Sequence, residues 1–384
     1  MKSENPNNPE YVVVGAGCAG LSLAVHLAGT DRNFRVSILD RRAEFTRDRT
    51  WCYWPTESHP FEECVRRRWN RWIVQHDNRT TEQHSERYPY EMIPADAFYD
   101  HALEVVRSDP RFNLTLETSV QSIEPHSTGV TVSAQEEKFD GDVVFDSRPP
   151  SPSTPDQLQH FLGWFIEVED PVFDPSRVRL MDFWRPEAET VHFMYQLPLS
   201  PKRSLLEATG ISETPQADDV YEQHIEAYLN RRYPDTNYSI YRREQGVIPL
   251  QFEPVGSGSP RVLPIGSRGG ATRPSTGYTF LGIQRASRQL AEEIEQGDVP
   301  TQPKIWSSPS RMLDRIFLSY LDGHPRKAQK TFYDLFERTN TDALVRFLSD
   351  VPRVSDYRDV LASMPKLDMM QEACSLIMDP LTFR

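Results

Sequence analysis

A chain of 384 residues with 38% apolar residues is long enough for two domains, and its net charge of −13 argues against nucleic-acid binding through a general basic face. Its four cysteines show neither a CxxC pair nor metal-ligand spacing, and its polar start lacks a signal-peptide core, so we expect a cytoplasmic protein with reduced thiols and no metal site. No apolar run reaches the roughly 18 residues that span a bilayer, which leaves only contact with a membrane surface open.

The first predicted elements form a dinucleotide-binding turn. Residues 11–14 read as a buried β-branched strand, and Gly15, Gly17 and Gly20 follow with G-x-G-x-x-G spacing at the start of a helix. The first glycine permits the tight turn, the second lets a pyrophosphate approach the backbone, and the third lets the helix pack closely on the sheet. Because a helix N-terminus offers free N–H groups, we predict a pyrophosphate site here, with Ala19 as a further contact.

The second predicted strand covers residues 34–39 and ends at an acid. Asp40 follows Gly20 by 20 residues, the spacing at which an acid accepts hydrogen bonds from ribose hydroxyls. Arg41 is predicted to contact the cofactor beside it. An acid at this place suits either FAD or NAD and argues against a 2′-phosphate.

The next segments continue the nucleotide-binding part. Residues 93–106 read as a helix with Asp96 as a candidate cap, and 118–148 read as a strand, a hairpin and a strand that ends at Asp146. Asp146 is a predicted cofactor contact because it ends a strand of the same expected sheet. The proline-rich stretch 147–157 then reads as a linker.

A strand–turn–strand pattern over residues 197–212 places one acid among apolar residues. Glu207 directly follows two leucines after the turn at 200–203. Alternate residues of a strand face opposite sides, so Glu207 either points into solvent or lies in a protected site. The strand pattern alone leaves both alternatives open.

A strand, a glycine and a helix return late in the chain, at residues 262–265, Gly266 and 279–291. This split layout resembles the FAD-binding fold of p-hydroxybenzoate hydroxylase type, whereas a single-fingerprint dehydrogenase completes its sheet within about 150 residues. No second G-x-G-x-x-G is present, so NAD(P)H is expected only as an external reductant. Residues 301–384 read as amphipathic helices that pack as a lid on the flavin domain or contact a membrane surface.

The predicted fold class is therefore α/β (α+β), with a Rossmann-like FAD-binding domain, an inserted β-sheet substrate domain and a helical C-terminal region. We assign 1–75, 90–155 and 256–300 to the FAD-binding domain, and 76–89 and 156–255 to the substrate domain. Residues 301–384 form the third region.

Several stretches together resemble the FAD-dependent lycopene cyclase family, of the bacterial lycopene β-cyclase type. They run in order over nearly the whole chain: DRTWCYW (48–54), DVVFDSRP (142–149), LQHFLGWFIE (158–167), RLMDF (179–183), FMYQLPLSPKRSLLEAT (193–209), EQGVIPL (244–250), GGATRPSTGYTF (269–280) and the tail 312–350. The resemblance implies that Glu207 is the catalytic acid or base. The family's second acid is replaced by Ala208, which in a strand faces the other side.

The resemblance also implies a site. The residues that the resemblance places next to the flavin are Arg49 and the loop residues Pro274, Thr276, Gly277 and Tyr278. The aromatic candidates for the substrate tunnel, each of which could instead be core, are Trp51, Tyr53, Trp54, Phe161, Trp164, Phe183 and Trp184.

The activity implied by the resemblance is cyclisation of lycopene to β-carotene through γ-carotene, an isomerisation with reduced FAD and no net redox change. The alternatives are a flavin-dependent monooxygenase or prenyl-chain reductase on the same fold, and a carotenoid carrier. The expected partners are lycopene or a related acyclic carotenoid and the inner face of the cell membrane, with peripheral attachment. Ring type, one or two cyclised ends, the initial acid and the oligomeric state stay open.

Overall fold

The computed structural model describes residues 8–149, 157–185, 190–250, 253–256 and 258–378, so most of the linker predicted at 147–157 lies outside the described residues. In chain order the strands are β1 Glu10–Val14, β2 Arg35–Leu39, β3 Thr50–Tyr53, β4 Arg67–Trp69, β5 Arg71–His76, β6 Arg79–His84, β7 Tyr90–Pro94, β8 Phe112–Thr115, β9 Val120–Pro125, β10 Val130–Ala134, β11 Glu137–Gly141, β12 Val143–Asp146, β13 Leu158–Val168, β14 Arg177–Phe183, β15 Val191–Pro198, β16 Arg203–Ser212, β17 Tyr238–Pro249 and β18 Val262–Pro264. The helices are α1 Cys18–Ala28, α2 Ala95–Ser108, α3 Asp218–Arg232, α4 Phe280–Gln296, α5 Ser308–Gly323, α6 Pro325–Arg338, α7 Thr341–Leu348, α8 Val354–Ser363 and α9 Lys366–Met378.

The first layer is a five-stranded parallel sheet in the order β18-β12-β1-β2-β8. On one face of this sheet, alternate residues of β1 and β2 pack with α1, α2 and α4 in one core cluster. On the other face, Val12, Val14 and Leu39 pack against Val130 and Val132 of β10 in a second cluster. The late strand β18 joins the same sheet, since Leu263 pairs with Phe145 of β12. The predicted split arrangement of the nucleotide-binding fold is therefore confirmed.

The second layer is a seven-stranded sheet in the order β17-β13-β16-β15-β14-β5-β6. Its two faces have separate cores, because side chains alternate along each strand. Leu206 and Ala208 of β16 pack with α3 on one face, while Leu205 packs with the C-terminal helices on the other. Strand β5 belongs to this sheet, although the sequence analysis placed residues 71–75 in the FAD-binding segments.

The C-terminal region is helical, but it does not pack mainly on the parallel sheet as expected for a lid on the flavin domain. Helix α6 contacts β5, β6 and β15, so this region covers one face of the seven-stranded sheet. Within the described ranges, no helix is both long enough and apolar enough to cross a membrane.

Helix α2 corrects one predicted cap. Pro94 occupies the N-cap position, and no side chain caps the helix there. Asp96 instead lies in the first turn, where its carboxylate is 2.5 Å from Nε of Arg47. A carboxylate in this position is still stabilised by the positive end of the helix dipole.

Candidate functional site

A cavity of about 1810 Å³ runs from the glycine turn of the parallel sheet, past the seven-stranded sheet, to the helices α8 and α9. It brings together residues that the sequence analysis singled out at distant positions. Those that line it are Gly15, Gly17, Ala19, Asp40, Arg41, Arg49, Trp51, Phe161, Glu207, Gly266, Thr276, Gly277 and Tyr278. The other predicted site residues lie behind this lining or in the protein core.

One end of the cavity is the N-terminus of α1. A Cβ added at Gly20 would lie 2.0 Å from the carbonyl oxygen of Gly15, so close packing of the turn requires glycine. A Cβ at Gly17 would meet nothing within 4 Å, so the backbone there faces open space. The first turn of α1 contains no acidic side chain. Its free N–H groups therefore suit a pyrophosphate.

The strand-end acid beside this turn is held by a neighbour that the sequence analysis missed. The Ala16 N–H donates to Asp40 at 2.6 Å, and the Arg42 guanidinium donates to both carboxylate oxygens at 3.0 Å. Burial opposes ionisation of Asp40, but the hydrogen bonds from Arg42 and Ala16 outweigh it and lower its pKa. The predicted Arg41 also lines the cavity, with an exposed side chain. Only the folded turn shows which of the two arginines binds the acid.

At the middle of the cavity, two buried acids meet over a glycine. Gly163 of β13 pairs with Glu207 of β16 on one side and with Glu244 of β17 on the other. With no side chain at Gly163, the two carboxyl groups come within hydrogen-bonding reach of each other. The Thr50 hydroxyl donates to Oε2 of Glu244 at 2.9 Å.

Burial controls the protonation of this acid pair. Removal from water raises the pKa of Glu207 well above its ordinary value, and the charge of Glu244 raises it further. Burial also raises the pKa of Glu244, although hydrogen bonds from Glu207 and Thr50 oppose this shift. Two like charges side by side in a dry site are costly, so the pair retains a proton at neutral pH.

Glu244, like Arg42, is a site residue that the sequence analysis missed. It lies in the quoted stretch EQGVIPL, but its sequence neighbours gave no indication of a partner. The strand order β16-β13-β17 brings it to Glu207.

Aromatic and thiol side chains surround the pair. Tyr195 of β15 lies opposite Glu207 in register, and its hydroxyl is 3.0 Å from that of Tyr90. Burial raises the pKa of both phenols and that of the Cys52 thiol, which interacts with Tyr195 and with both acids, so all three stay neutral. Around Glu207 the wall is therefore formed by neutral phenol and thiol groups, and Glu244 is the acid next to it.

The predicted tunnel aromatics divide by strand face. Trp51 and Phe161 line the cavity. The assignment of Trp164 to the tunnel is corrected, because its side chain faces the opposite side of the sheet and packs in the core under α3. Trp184 packs against the same core. Trp54 and Phe183 are buried behind the lining, in the core beneath the C-terminal helices.

The remaining predicted site residues also lie off the cavity surface. Tyr53 is a further correction to the tunnel assignment, since it stacks on Phe280 in the parallel-sheet core. Asp146 lies at the end of β12, where Arg148 donates to it at 2.8 Å, rather than on the cavity surface. Pro274 is likewise absent from the lining.

The loop after β18 is fixed to the C-terminal helices. Arg273 is fully buried and ion-paired with Asp314 of α5 at 3.1 Å, and it also donates to the carbonyl oxygen of Phe347. The loop residues Thr276, Gly277 and Tyr278 then reach the cavity. Across the cavity, Arg49 donates to the carbonyl of Gln245 at 3.2 Å.

Comparisons with known proteins agree with this architecture. A family model described as "Lycopene cyclase protein" matches residues 10–374. The lycopene beta-cyclase of Paracoccus sp. is 27% identical over 71% of this chain and 70% of its own length. The lycopene beta-cyclase of Pantoea ananas is 22% identical over 94% of this chain and 97% of its own length.

Solved structures share the fold at much lower identity. A flavoprotein/dehydrogenase from Cytophaga hutchinsonii has a TM-score of 0.64 at 13% identity, covering 95% of this chain and 100% of that chain. A geranylgeranyl bacteriochlorophyll reductase-like protein from Thermoplasma acidophilum has a TM-score of 0.62 at 10% identity, covering 95% and 98%. These likenesses establish the fold class.

Proposed function

The chain belongs to the lycopene cyclase family, and from that premise we propose that it is a lycopene β-cyclase. It would convert lycopene through γ-carotene to β-carotene by closing each acyclic end into a β-ionone ring. The observation that carries the proposal is Glu207, a buried carboxyl with a raised pKa that lines a long apolar cavity. Such a group can give a proton to a hydrocarbon that offers no polar handle.

The cofactor in this proposal is FAD. The free N–H groups at Gly17 suit its pyrophosphate and Asp40 suits a ribose, while Gly277 and Tyr278 lie further along the same cavity. Reduced FAD, when bound, supplies negative charge that stabilises a nearby carbocation. NAD(P)H enters the proposal only as an external reductant.

The chain's own residues account for the proton movements. The Glu207 carboxyl donates its proton to the terminal double bond, and the resulting tertiary cation closes the six-membered ring. The carboxylate then accepts the proton that the ring loses, so atoms and electrons balance without oxidation. The aromatic rings of Trp51 and Tyr195, which line the cavity, supply π-electrons that stabilise a cation, and the apolar wall excludes water.

A membrane surface is the proposed source of the substrate. The far end of the cavity is lined by Leu361 of α8 and by Met370 of α9, which are 47% and 64% exposed. Leu367 and Ile377 of α9 are 78% and 79% exposed beside them. We call these four side chains the α8–α9 surface, and we propose that it contacts the inner face of the cell membrane peripherally.

The test is expression in a lycopene-accumulating bacterium, with pigments separated by chromatography. We expect β-carotene with the wild-type chain and a loss of about 100-fold or more in turnover for Glu207→Gln, the range by which a general acid or base contributes. The exposed Glu167→Gln on the neighbouring strand is the matched control and should remain active.

Two results would contradict the proposal. One is lycopene that persists beside folded, flavin-loaded wild-type protein. The other is stoichiometric consumption of NADPH or oxygen during turnover, which would indicate an oxidoreductase.

A further inference from the structure

The two acids of the pair meet across an intervening strand. Glu207 and Glu244 are on strands that do not pair with each other, because β13 lies between them. Each is in register with Gly163, and a Cβ at that position would lie 2.8 Å from Cγ of Glu207. The missing side chain is therefore what lets the two carboxyl groups meet.

We propose that Glu244 is a positioning residue for Glu207, which accepts a hydrogen bond from the Glu207 carboxyl above Gly163 and keeps one shared proton in the pair. Glu244 does not line the cavity, so it acts through Glu207. The effect of Glu244 on turnover rests on the proposed function, whereas the proton shared by the two acids is expected in the protein without lycopene.

The surrounding charges decide which acid carries the proton. Glu244 accepts from Thr50, lies 3.9 Å from the Arg242 guanidinium, and feels the charge of Arg49. These groups favour its ionised form. The proton therefore resides on Glu207, on the side of the pair that faces the cavity.

The other neighbours of Glu207 do not supply a charge. Tyr195 from β15, Tyr90 from β7 and Cys52 from β3 stay neutral, because burial raises the pKa of each. Glu244 is thus the charged group that acts most directly on Glu207. Its removal should be visible in the titration of Glu207.

The shared proton makes the donation reversible. When the Glu207 O–H bond breaks and a C–H bond forms on the substrate, two carboxylates are left side by side in a dry site. Their repulsion makes the pair a strong base. Breakage of a ring C–H bond then returns one proton to Glu207, which restores the starting pair with no net change in charge.

The direct test is infrared spectroscopy of the flavin-loaded protein without substrate, titrated from acidic to alkaline pH. We expect the wild type to show the carbonyl band of a protonated buried carboxyl at neutral pH, and Glu207→Gln to lack it. In Glu244→Gln the loss of the neighbouring negative charge should shift the midpoint of this band down by about one pH unit or more. Glu167→Gln should match the wild type.

Gly163→Ala is the second variant, and it keeps both acids. Its Cβ displaces the Glu207 side chain, so its midpoint should also fall, and the pH limit of cyclisation should fall with it in both variants. An absent band in the wild type, or an unchanged midpoint in both variants, would overturn the inference. If the bands behave as expected while even the wild type forms no cyclic carotenoid, the proposed function fails and the proton-sharing pair stands.

Discussion

Glu207 faces the cavity, whereas its neighbour Ala208 is fully buried on the other side of β16 against the core under α3. This alternation explains why the chain can lack the second acid of the family motif. A carboxylate at 208 would lie away from the cavity, and the acid that does reach Glu207 comes from β17 instead.

The first prediction at this scale is that Ala208→Glu does not improve activity and destabilises the protein. The new carboxylate would be buried in an apolar core without a cation or hydrogen-bond donor to pair with, which lowers the free energy of unfolding by about 3 kcal/mol or more. Urea unfolding of the purified variant measures this loss. Ala208→Ser, whose side chain is uncharged and smaller than that of glutamate, is the control. An unchanged unfolding midpoint for Ala208→Glu would contradict the prediction.

The elements around α3 hold a second set of buried polar side chains. His192 of β15 is 5% exposed, its ring centroid is 4.3 Å from that of His224 on α3, and neither of its ring nitrogens has a hydrogen-bond partner in the described part of the chain. Burial, with repulsion from His224 and Arg185, lowers the pKa of His192 to about 3. The imidazole is thus neutral in the folded protein at every moderate pH.

Acid should therefore weaken the packing of α3 on the sheet. Because the unfolded His192 binds a proton near pH 6.5 and the folded one does so only near 3, its contribution to stability is present above about pH 6.5 and falls as pH decreases toward 3. The loss reaches about 2 kcal/mol at about pH 5. His192→Phe should lose less stability between neutral and acidic pH than the wild type in thermal unfolding. Equal losses would show that His192 is not the responsible group.

A further prediction concerns the junction between the loop after β18 and α5. Asp314→Asn leaves the fully buried Arg273 without its carboxylate, and removal of one partner of a buried ion pair costs about 3–5 kcal/mol. Since the same loop places Thr276 and Gly277 in the cavity, flavin affinity should fall as well. Thermal unfolding and flavin fluorescence measure the two effects. Asp322→Asn, on the same helix but not buried, is the comparison.

At the scale of the whole molecule, the α8–α9 surface makes a prediction about membrane contact. Replacing Leu367 and Met370 by serine removes exposed apolar area without touching the core, so binding to lipid vesicles should weaken about tenfold while thermal stability stays unchanged. Co-sedimentation with vesicles measures the change. Tyr241→Ser, which alters an aromatic residue 48% exposed on β17, is the control. Vesicle binding that does not differ from wild type would exclude this surface.

The sequence predicted the parts of the molecule that rest on local pattern. The glycine spacing located the turn at Gly15–Gly20, and the late strand and helix located the completion of the parallel sheet. The acid at 207 was identified through a motif. The strand alternation left both a solvent-facing and a protected position open for this acid, and the structure shows that it is buried.

Features set by long-range pairing could not be read in the same way. Glu244 meets Glu207 only because β13 inserts between their strands, and Trp164 faces away because the sheet register decides which side of β13 is covered by α3. An aromatic residue is equally compatible with either face until the neighbours of its strand are known.

The late position of β18 also bears on how the molecule is made. The Val144–Val262 pairing joins strands that leave the ribosome far apart in time, so β12 is an uncovered edge of the nascent sheet until most of the chain has been synthesised. Long-range parallel pairing of this kind is slow to form. The nucleotide cradle is thus completed only once β18 has been synthesised, and until then the unpaired edge of β12 is open to pairing with other chains.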